Sequence, residues 1–302
     1  MSPIVSIIIP HLNQNDALDK CISTLRLQTY PLKKLEVIII DNGSLAIPSI
    51  KNDVFKDLLI LSEDTPGPGP ARNTGVASSN GEYLFFIDAD CTADKDWISN
   101  GIFALSNDRT AILGGDVKIP IFDKESITSL EAYEMIFAYQ QENYIIKQGF
   151  SGSGNLAASR FVFDQVGPFP GIEVAEDRAW GAQALAKGYN FTYCSSMIIY
   201  HPAREEFSEL FQKWARHSRH DFAELESKKW ALVKWFWRAL MVLGSIPIHS
   251  LKVITSDRLK GIGQKSKAIA ALAIIRLYRV GFMLRMVFNK NFRNQTVSWN
   301  KD

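Results

Sequence analysis

With 302 residues, 46% of them hydrophobic and 22% charged, the chain is long enough for one large domain and an appendage, and its composition excludes collagen, coiled coil and intrinsic disorder. A net charge of +2, without a long Lys/Arg run in roughly the first two hundred residues, argues against nucleic acid as a partner. Cys21, Cys91 and Cys194 are odd in number and lack CxxC spacing, which excludes a disulfide framework and a Cys-based zinc site and points to reduced thiols in a cytoplasmic setting.

The first residues lack a basic leader, and the apolar run at 4–9 is too short for a signal peptide, so residues 5–10 read as a strand. Pro10 ends that strand. A polar loop containing Asn13 follows, and then Ala17, Leu18, Cys21, Ile22 and Leu25 recur at helical spacing. Residues 35–40 form a second β-branched run that closes on Asp41-Asn42-Gly43-Ser44, whose Asn-Gly pair demands a turn. A third run, 58–61, enters a Pro/Gly-dense loop at 65–70, and a fourth, 83–87, ends at Asp88-Ala89-Asp90. Apolar runs separated by helical segments predict an α/β fold: a doubly wound, mostly parallel sheet with helices on both faces. Ligands of such sheets collect beyond the carboxyl ends of the strands, where Asn13, Asp41, Asp88 and Asp90 all fall.

Further on, the pattern predicts a strand at 111–119, a helix through 131–144, a Gly/Ser-rich loop at 149–154, a helix at 177–187 and a strand at 193–200 closed by His201-Pro202. From Phe207 onward, Leu210, Phe211, Trp214 and Leu225 mark an amphipathic helix. Two sequons, at Asn190 and Asn294, are read as chance matches.

Asp88 and Asp90 are the sharpest chemical feature. In an extended segment, carboxylates one residue apart point to opposite sides, so one is free to meet a ribose and the other a divalent cation, since Mg²⁺ and Mn²⁺ are held by one or two carboxylates plus phosphate oxygens. The competing reading is a polar turn with Asp90 capping the next helix. For Asp41 and Ser44 the alternative is side-chain bonds within their own turn. Arg72 and Asn73 read either as a solvated helix start or as a phosphate contact. His201 alone reads as an ordinary strand-end histidine.

Residues 5–10 with Asn13, then 37–44, then Gly69-Pro70-Ala71-Arg72-Asn73-Thr74-Gly75, then 81–90, closely resemble in order and spacing the family 2 glycosyltransferases of GT-A fold. The resemblance continues through 152–155 and Ala158, Glu176-Asp177, Trp180-Gly181, Gly188-Tyr189 and His201, and covers roughly residues 4–205. It implies that Asp41 reads the nucleobase, usually uracil, with Pro10, Asn13 and Ser44 in the same pocket. It puts Arg72 and Asn73 near the ribose or phosphates, Asp88 on the ribose, Asp90 on the metal with Asp88 beside it, and His201 on the metal or diphosphate. Gly154, Asn155 and Trp180 are expected on the acceptor side.

Glu176 and Asp177 precede a helical segment, where capping is one explanation. The resemblance implies catalysis instead: a single in-line displacement needs a base for the acceptor hydroxyl, and Asp177 is assigned that role with Glu176 in support. Mn²⁺ or Mg²⁺ at Asp90 is expected to neutralise the nucleoside diphosphate leaving group, with Arg216 and Arg219 as further candidates. Gln212-Lys213-Trp214-Ala215-Arg216 departs from the Gln-x-x-Arg-Trp element of processive synthases, so addition of a single sugar is expected.

Around 230–247 and 268–288 the chain is apolar and aromatic but interrupted by Lys234, Arg238, Arg276, Arg279 and Arg285. About 20 predominantly apolar residues are needed to span a bilayer, so an in-plane contact with an anionic membrane surface is expected, the alternative being a helical cap or a dimer contact.

The expected domains are a catalytic domain at 1–225, with a nucleotide-sugar half at about 1–115 and an acceptor half at about 116–225, and a helical region at 226–302. The expected activity is transfer of one hexose-type residue from a UDP-sugar, with inversion, to a glycan or lipid-linked saccharide, with no nucleic acid partner, at the cytoplasmic face of a membrane. The rivals are a nucleotidyltransferase of related fold, which needs a Gly-rich basic loop where His11 to Asn15 stand, and a non-catalytic nucleotide-sugar-binding protein.

Overall fold

The computed structural model describes residues 5–121, 126–172 and 174–293, so the sequon at Asn294 lies outside the described residues. Two compact units are present: Met1–Lys118 with Tyr139–Pro202, and Ile119–Ala138 with Ala203–Asp302. The boundaries fall after Lys118, Ala138 and Pro202, the last of them before the helix that the sequence reading grouped with the catalytic part.

The first unit is built on an eight-stranded sheet of order β3-β2-β1-β4-β7-β6-β8-β5. Its strands are β1 (Val5–His11), β2 (Leu35–Asp41), β3 (Asp57–Ser62), β4 (Tyr83–Ile87), β5 (Thr92–Ala93), β6 (Ile112–Lys118), β7 (Asn155–Ser159) and β8 (Phe191–Tyr200). All but β5 and β7 run the same way. Parallel strands covered on both faces are largely apolar, and β2 and β4 are buried at every position.

Side chains alternate between two cores, as a period of two requires. Ile7, Ile9, Val37, Ile39, Phe85 and Ile87 face one side. There they meet Leu18 and Ile22 of α1 (Asn15–Leu25) and Trp97 and Ile98 of α3 (Trp97–Asn107). Ile8, Ile38, Ile40, Leu84 and Phe86 face the other. Their partners come from α2 (Pro68–Ala77), α6 (Arg160–Val166) and α7 (Glu176–Ala186). Burying one such Ile or Phe contributes about 1.5–3 kcal/mol, so these layers hold the strand ends in fixed relation.

The helix expected through 131–144 is two helices, α4 (Ser129–Phe137) and α5 (Gln141–Gln148), separated by Tyr139 at φ 47°. A left-handed residue cannot continue an α-helix. Strand β7 was not anticipated. It runs antiparallel between β4 and β6, and its small residues do not form the long apolar run by which the others announce themselves.

The second unit is helical: α4, α8 (Phe207–Glu226), α9 (Ala231–Ile254) and α10 (Gly261–Phe288). Thr128 and Glu131 close a capping box at the start of α4. Buried Glu134 accepts hydrogen bonds from the backbone and guanidinium of Arg204. Helices α9 and α10 pack antiparallel, with Val253 beside Ala268, His249 beside Arg276 and Phe236 beside Phe288. Among the described residues, α9 is the one helix long and apolar enough by length and composition to cross a membrane. This differs from the reading that charges interrupt both apolar runs too early: Lys234 and Arg238 crowd the first turns of α9, and 239–251 carry no Lys, Arg, Asp or Glu.

Candidate active site

The carboxyl ends of β1, β2, β4 and β8 carry His11, Asp41, the 88–91 turn and His201, and they lie on one edge because those strands share a direction. At the β1–β2 edge the apolar run ends on Asp41, and Gly43 takes φ 91°, a left-handed turn position that glycine adopts without a Cβ penalty. The Asp41 carboxylate is nearly closed off. His11 Nδ1 lies 3.1 Å from Oδ1, and the Ser44 backbone N–H donates to Oδ2 at 3.2 Å. Because the Gln14 backbone N–H donates to His11 Nε2 at 3.1 Å, the ring proton sits on Nδ1 and is donated to Asp41. Burial pushes the Asp41 carboxyl up, but the bonds from Ser44 and His11 outweigh it and leave it below its ordinary value.

Asn13, at φ 54°, ties the two loops together: its N–H donates to Ser44 Oγ at 2.8 Å and its Oδ1 accepts from the Leu45 N–H at 2.8 Å. Pro10 is half-buried in the last pairs of β1. Asp41, Asn13, Pro10 and Ser44 are thus brought together. His11 was missed, since a histidine at a strand end carries no signal until its strand neighbour is known. Asn42 was missed too; its side chain joins Glu63, Thr65 and Gly67 and shapes the neighbouring loop.

Strand β4 stops at Ile87, and the Cys91 N–H closes a turn onto the Asp88 carbonyl at 3.0 Å. The two carboxylates do part to different partners, but through this turn, anchored by buried Ala89 and Cys91, and not through a strand pleat. Asp90 does not cap α3, which begins at Trp97. Arg72, buried on α2, donates to Asp88 Oδ1 at 2.6 Å and reaches Glu176 Oε1 at 3.4 Å, while its Nε has no partner. Burial pushes the Asp88 carboxyl up, against the pull of Arg72 and with the charge of Asp90 adding to it. A Cβ at Gly154 would run into Asp88 Oδ2, so glycine there gives that carboxylate its room.

Asp90 Oδ2 lies 3.3 Å from His201 Nε2. His201 Nδ1 sits 2.6 Å from the Pro202 carbonyl and its ring lies against Tyr139, tilted by 35° with centroids 4.6 Å apart. Burial opposes charge on both groups, yet their contact wins, holding Asp90 down and raising His201. Asp90, Cys91 and His201 offer ligand atoms within 4.8 Å of one another. Burial pushes the Cys91 thiol up, so it stays protonated and is a poor ligand. With Nδ1 engaged by the Pro202 carbonyl, Nε2 is the nitrogen that would ligate a cation once its proton is displaced, and beside the Asp90 carboxylate it makes a donor set that suits Mn²⁺ or Mg²⁺ better than a thiophilic ion.

Glu176 and Asp177 open α7 without capping it by side chain; the N-cap is Ala175. Burial, then the Glu176 charge, push the Asp177 carboxyl up to about 6 although the Arg178 N–H donates to it at 2.7 Å. Arg72, contacting both Asp88 and Glu176, links this helix start to the β4 turn.

Several expected site residues have other tasks. Trp180 is a core residue: its ring lies among Phe163, Phe169 and Phe191, and its indole N–H donates to the Gly167 carbonyl at 2.8 Å. Asn155 is fully buried, accepting from Trp97 Nε1 and donating to the carbonyls of Asp116 and Met197, so it braces the sheet and does not face an acceptor. Asn73 spends both ends of its amide on the Phe169 backbone, at 2.9 Å each, which fixes a loop and leaves little for a phosphate. Arg219 belongs to the helical unit, donating to the Phe292 carbonyl and lying over the Phe282 and Phe292 rings, and is therefore a packing residue. Arg216 is exposed on α8 in the same unit.

Comparison with known proteins agrees with this fold. The chain is 31% identical to "Glycosyltransferase AglE" of Haloferax volcanii over 296 residues, 95% of this chain and 94% of that one. Among solved structures it is similar to the mannosyltransferase PcManGT from Pyrobaculum calidifontis, in complex with GDP-Man and Mn²⁺, with TM-score 0.58 at 15% identity over 96% of this chain and 88% of that one. It is also similar to S. aureus TarS 1-349 in complex with UDP-GlcNAc, with TM-score 0.51 at 15% identity over 99% and 94% of the two chains. These likenesses establish the GT-A fold. Since residues 6–167 match the Glycosyl transferase family 2 model and the relative in Haloferax aligns along nearly the whole length, the chain belongs to glycosyltransferase family 2.

Proposed function

We propose that this glycosyltransferase moves one hexose-type residue from a UDP-sugar, with inversion and with the help of a divalent cation, to a hydroxyl of a glycan or lipid-linked saccharide at the cytoplasmic face of a membrane. The observation that carries the reading is the gathering, at one sheet edge, of the Arg72–Asp88–Glu176 chain, the Asp90–His201 pair and the half-buried Asp177 carboxyl at about 6.

Asp177 takes the proton of the acceptor hydroxyl as that oxygen attacks the anomeric carbon. The bond to the diphosphate breaks on the opposite side and its electron pair leaves with the diphosphate. A carboxyl near 6 is largely ionised at neutral pH yet basic enough to share a proton in the transition state, which suits a general base. Asp90 and His201 would hold the cation, with Asp88 beside it. When bound, the cation stabilises the negative charge that develops on the leaving diphosphate. Arg72 orients Asp88 toward the ribose and holds Glu176 away from Asp177's task.

Asp41 supports uracil in particular. His11, the Ser44 N–H and the Ser44 hydroxyl occupy three of its roughly four acceptor positions, so it has room for one more donor, matching the single ring N–H of uracil better than the paired donors of guanine.

A screen of UDP- and GDP-sugars for transfer and hydrolysis, with and without Mn²⁺, tests the proposal. Asp177→Asn is expected to lose about 10²–10⁴-fold in kcat while binding UDP as the wild type does. Full transfer by Asp177→Asn would remove the proposed base, and turnover of GDP-sugars alone would remove the proposed donor.

A further inference from the structure

Helix α9 has two faces with opposite fates. Trp235, Ala239, Val242 and Val253 are buried against Phe222 of α8 and Val280, Met283 and Ala268 of α10. On the other side, Val233, Trp237, Met241, Ile248 and Leu251, spaced by steps of three and four or their sums, are each between 47% and 67% exposed. Helix α10 repeats this with Ile274, Leu277 and Phe288, all exposed, in the same unit. A row of exposed large apolar side chains along one side of a helix marks an interaction surface.

Charge says what the partner is. Residues 227–293 contain fourteen Lys and Arg side chains and Asp257 as the one acid. Near the ends of α9 stand Lys228, Lys229 and Lys234 on one side and Lys252, Arg258 and Lys260 on the other. A second copy would bring the same surplus of positive charge face to face with its own. A bilayer surface rich in anionic headgroups answers both halves of the pattern: acyl chains for the stripe, phosphates for the cations, and an interfacial level for exposed Trp230 and Trp237.

The orientation also follows. To cross a membrane, α9 would have to give up its buried face and the Arg238–Asp221 pair, 2.7 Å long. Lying in the plane costs none of these contacts.

We propose that the α9–α10 hairpin is an in-plane docking surface for anionic lipid, with the exposed apolar stripes at the acyl boundary and the flanking lysines and arginines among the headgroups. The proposal rests on the membrane-side reading given above for its purpose, and it can be tested by binding alone. The full chain is floated with vesicles of phosphatidylcholine or of phosphatidylcholine with about one-third phosphatidylglycerol. Flotation is expected on the anionic vesicles, weakened by high salt, reversed by alkaline carbonate and lowered about tenfold or more in Met241→Glu/Ile248→Glu. That variant alters two exposed positions, so its hydrolysis of UDP-sugar in solution should match the wild type.

Equal flotation on both vesicles, or none, overturns the proposal. Resistance to carbonate overturns it in favour of a spanning helix, and a dimer lost in the same variant without vesicle binding overturns it in favour of a second copy. Anionic flotation by a protein with no activity on any nucleotide-sugar would sink the proposed function and leave the docking surface standing.

Discussion

Asp177 and His11 show how much a single environment changes a residue. Because burial and Glu176 raise Asp177 to about 6, its basic form is lost below that pH. Transfer at saturating donor and metal should rise with pH through about 6 and then level, with a slope of one on a logarithmic plot; an acid limb near 4 would mean the base is an unperturbed carboxyl. His11 acts on Asp41 through one atom. His11→Asn offers an N–H where Nδ1 stood, His11→Leu offers none, so UDP affinity by calorimetry should fall about tenfold for Leu, equivalent to about 1.4 kcal/mol, and stay near wild type for Asn. Equal losses in both would reduce His11 to a packing residue. The sequence displayed Asp41, Asp90 and Asp177, but not the imidazole that orients the first or the burial that tunes the last, since both depend on neighbours far along the chain.

Among elements, α2 is the most tightly constrained. It must bring Arg72 to Asp88 from the face of the sheet opposite α1, and Gly75 lets it approach: a Cβ there would stand 2.6 Å from both Ile8 Cγ2 and Ile40 Cδ1. In an exposed helix, Gly→Ala stabilises by about 1 kcal/mol. Against two buried strands the overpacking of about 1–3 kcal/mol offsets or exceeds that gain, so Gly75→Ala should lower Tm by up to about 6 °C, and a rise in Tm would show that the layer yields. The apolar runs of β1, β2 and β4 were readable because parallel strands buried on both faces admit few polar residues. The break at Tyr139 was not, because helical periodicity runs through it and only the backbone angle reveals it.

Across the whole molecule, a net charge of +2 conceals a division: acidic ligands gather in the sheet unit and a surplus of cations in the helical one. In the proposed function, a nucleoside diphosphate with its cation bridges groups carried by β2, β4 and the end of β8. Ligands that bind only the folded chain stabilise it by RT ln(1 + [L]/Kd), about 2.7 kcal/mol at a hundredfold excess over Kd. UDP with Mn²⁺ should therefore raise Tm by several degrees more than UDP alone, and adding a chelator should remove the difference. Asp90→Ala should abolish the Mn²⁺-dependent part alone; an undiminished Mn²⁺ effect in that variant would move the metal elsewhere.

By itself the sequence determined the α/β class, the order of its apolar strands, the acidic strand ends and the family resemblance, because these depend on local composition and spacing. Tertiary structure decided the partners of those ends: Arg72 between Asp88 and Glu176, His201 beside Asp90, and Trp180 and Asn155 withdrawn into the core. It also set residues 119–138 in one unit with those after Pro202 and turned one side of α9 outward. Contacts between residues distant in the chain are set by packing, and packing depends on which faces meet, which one-dimensional spacing leaves open.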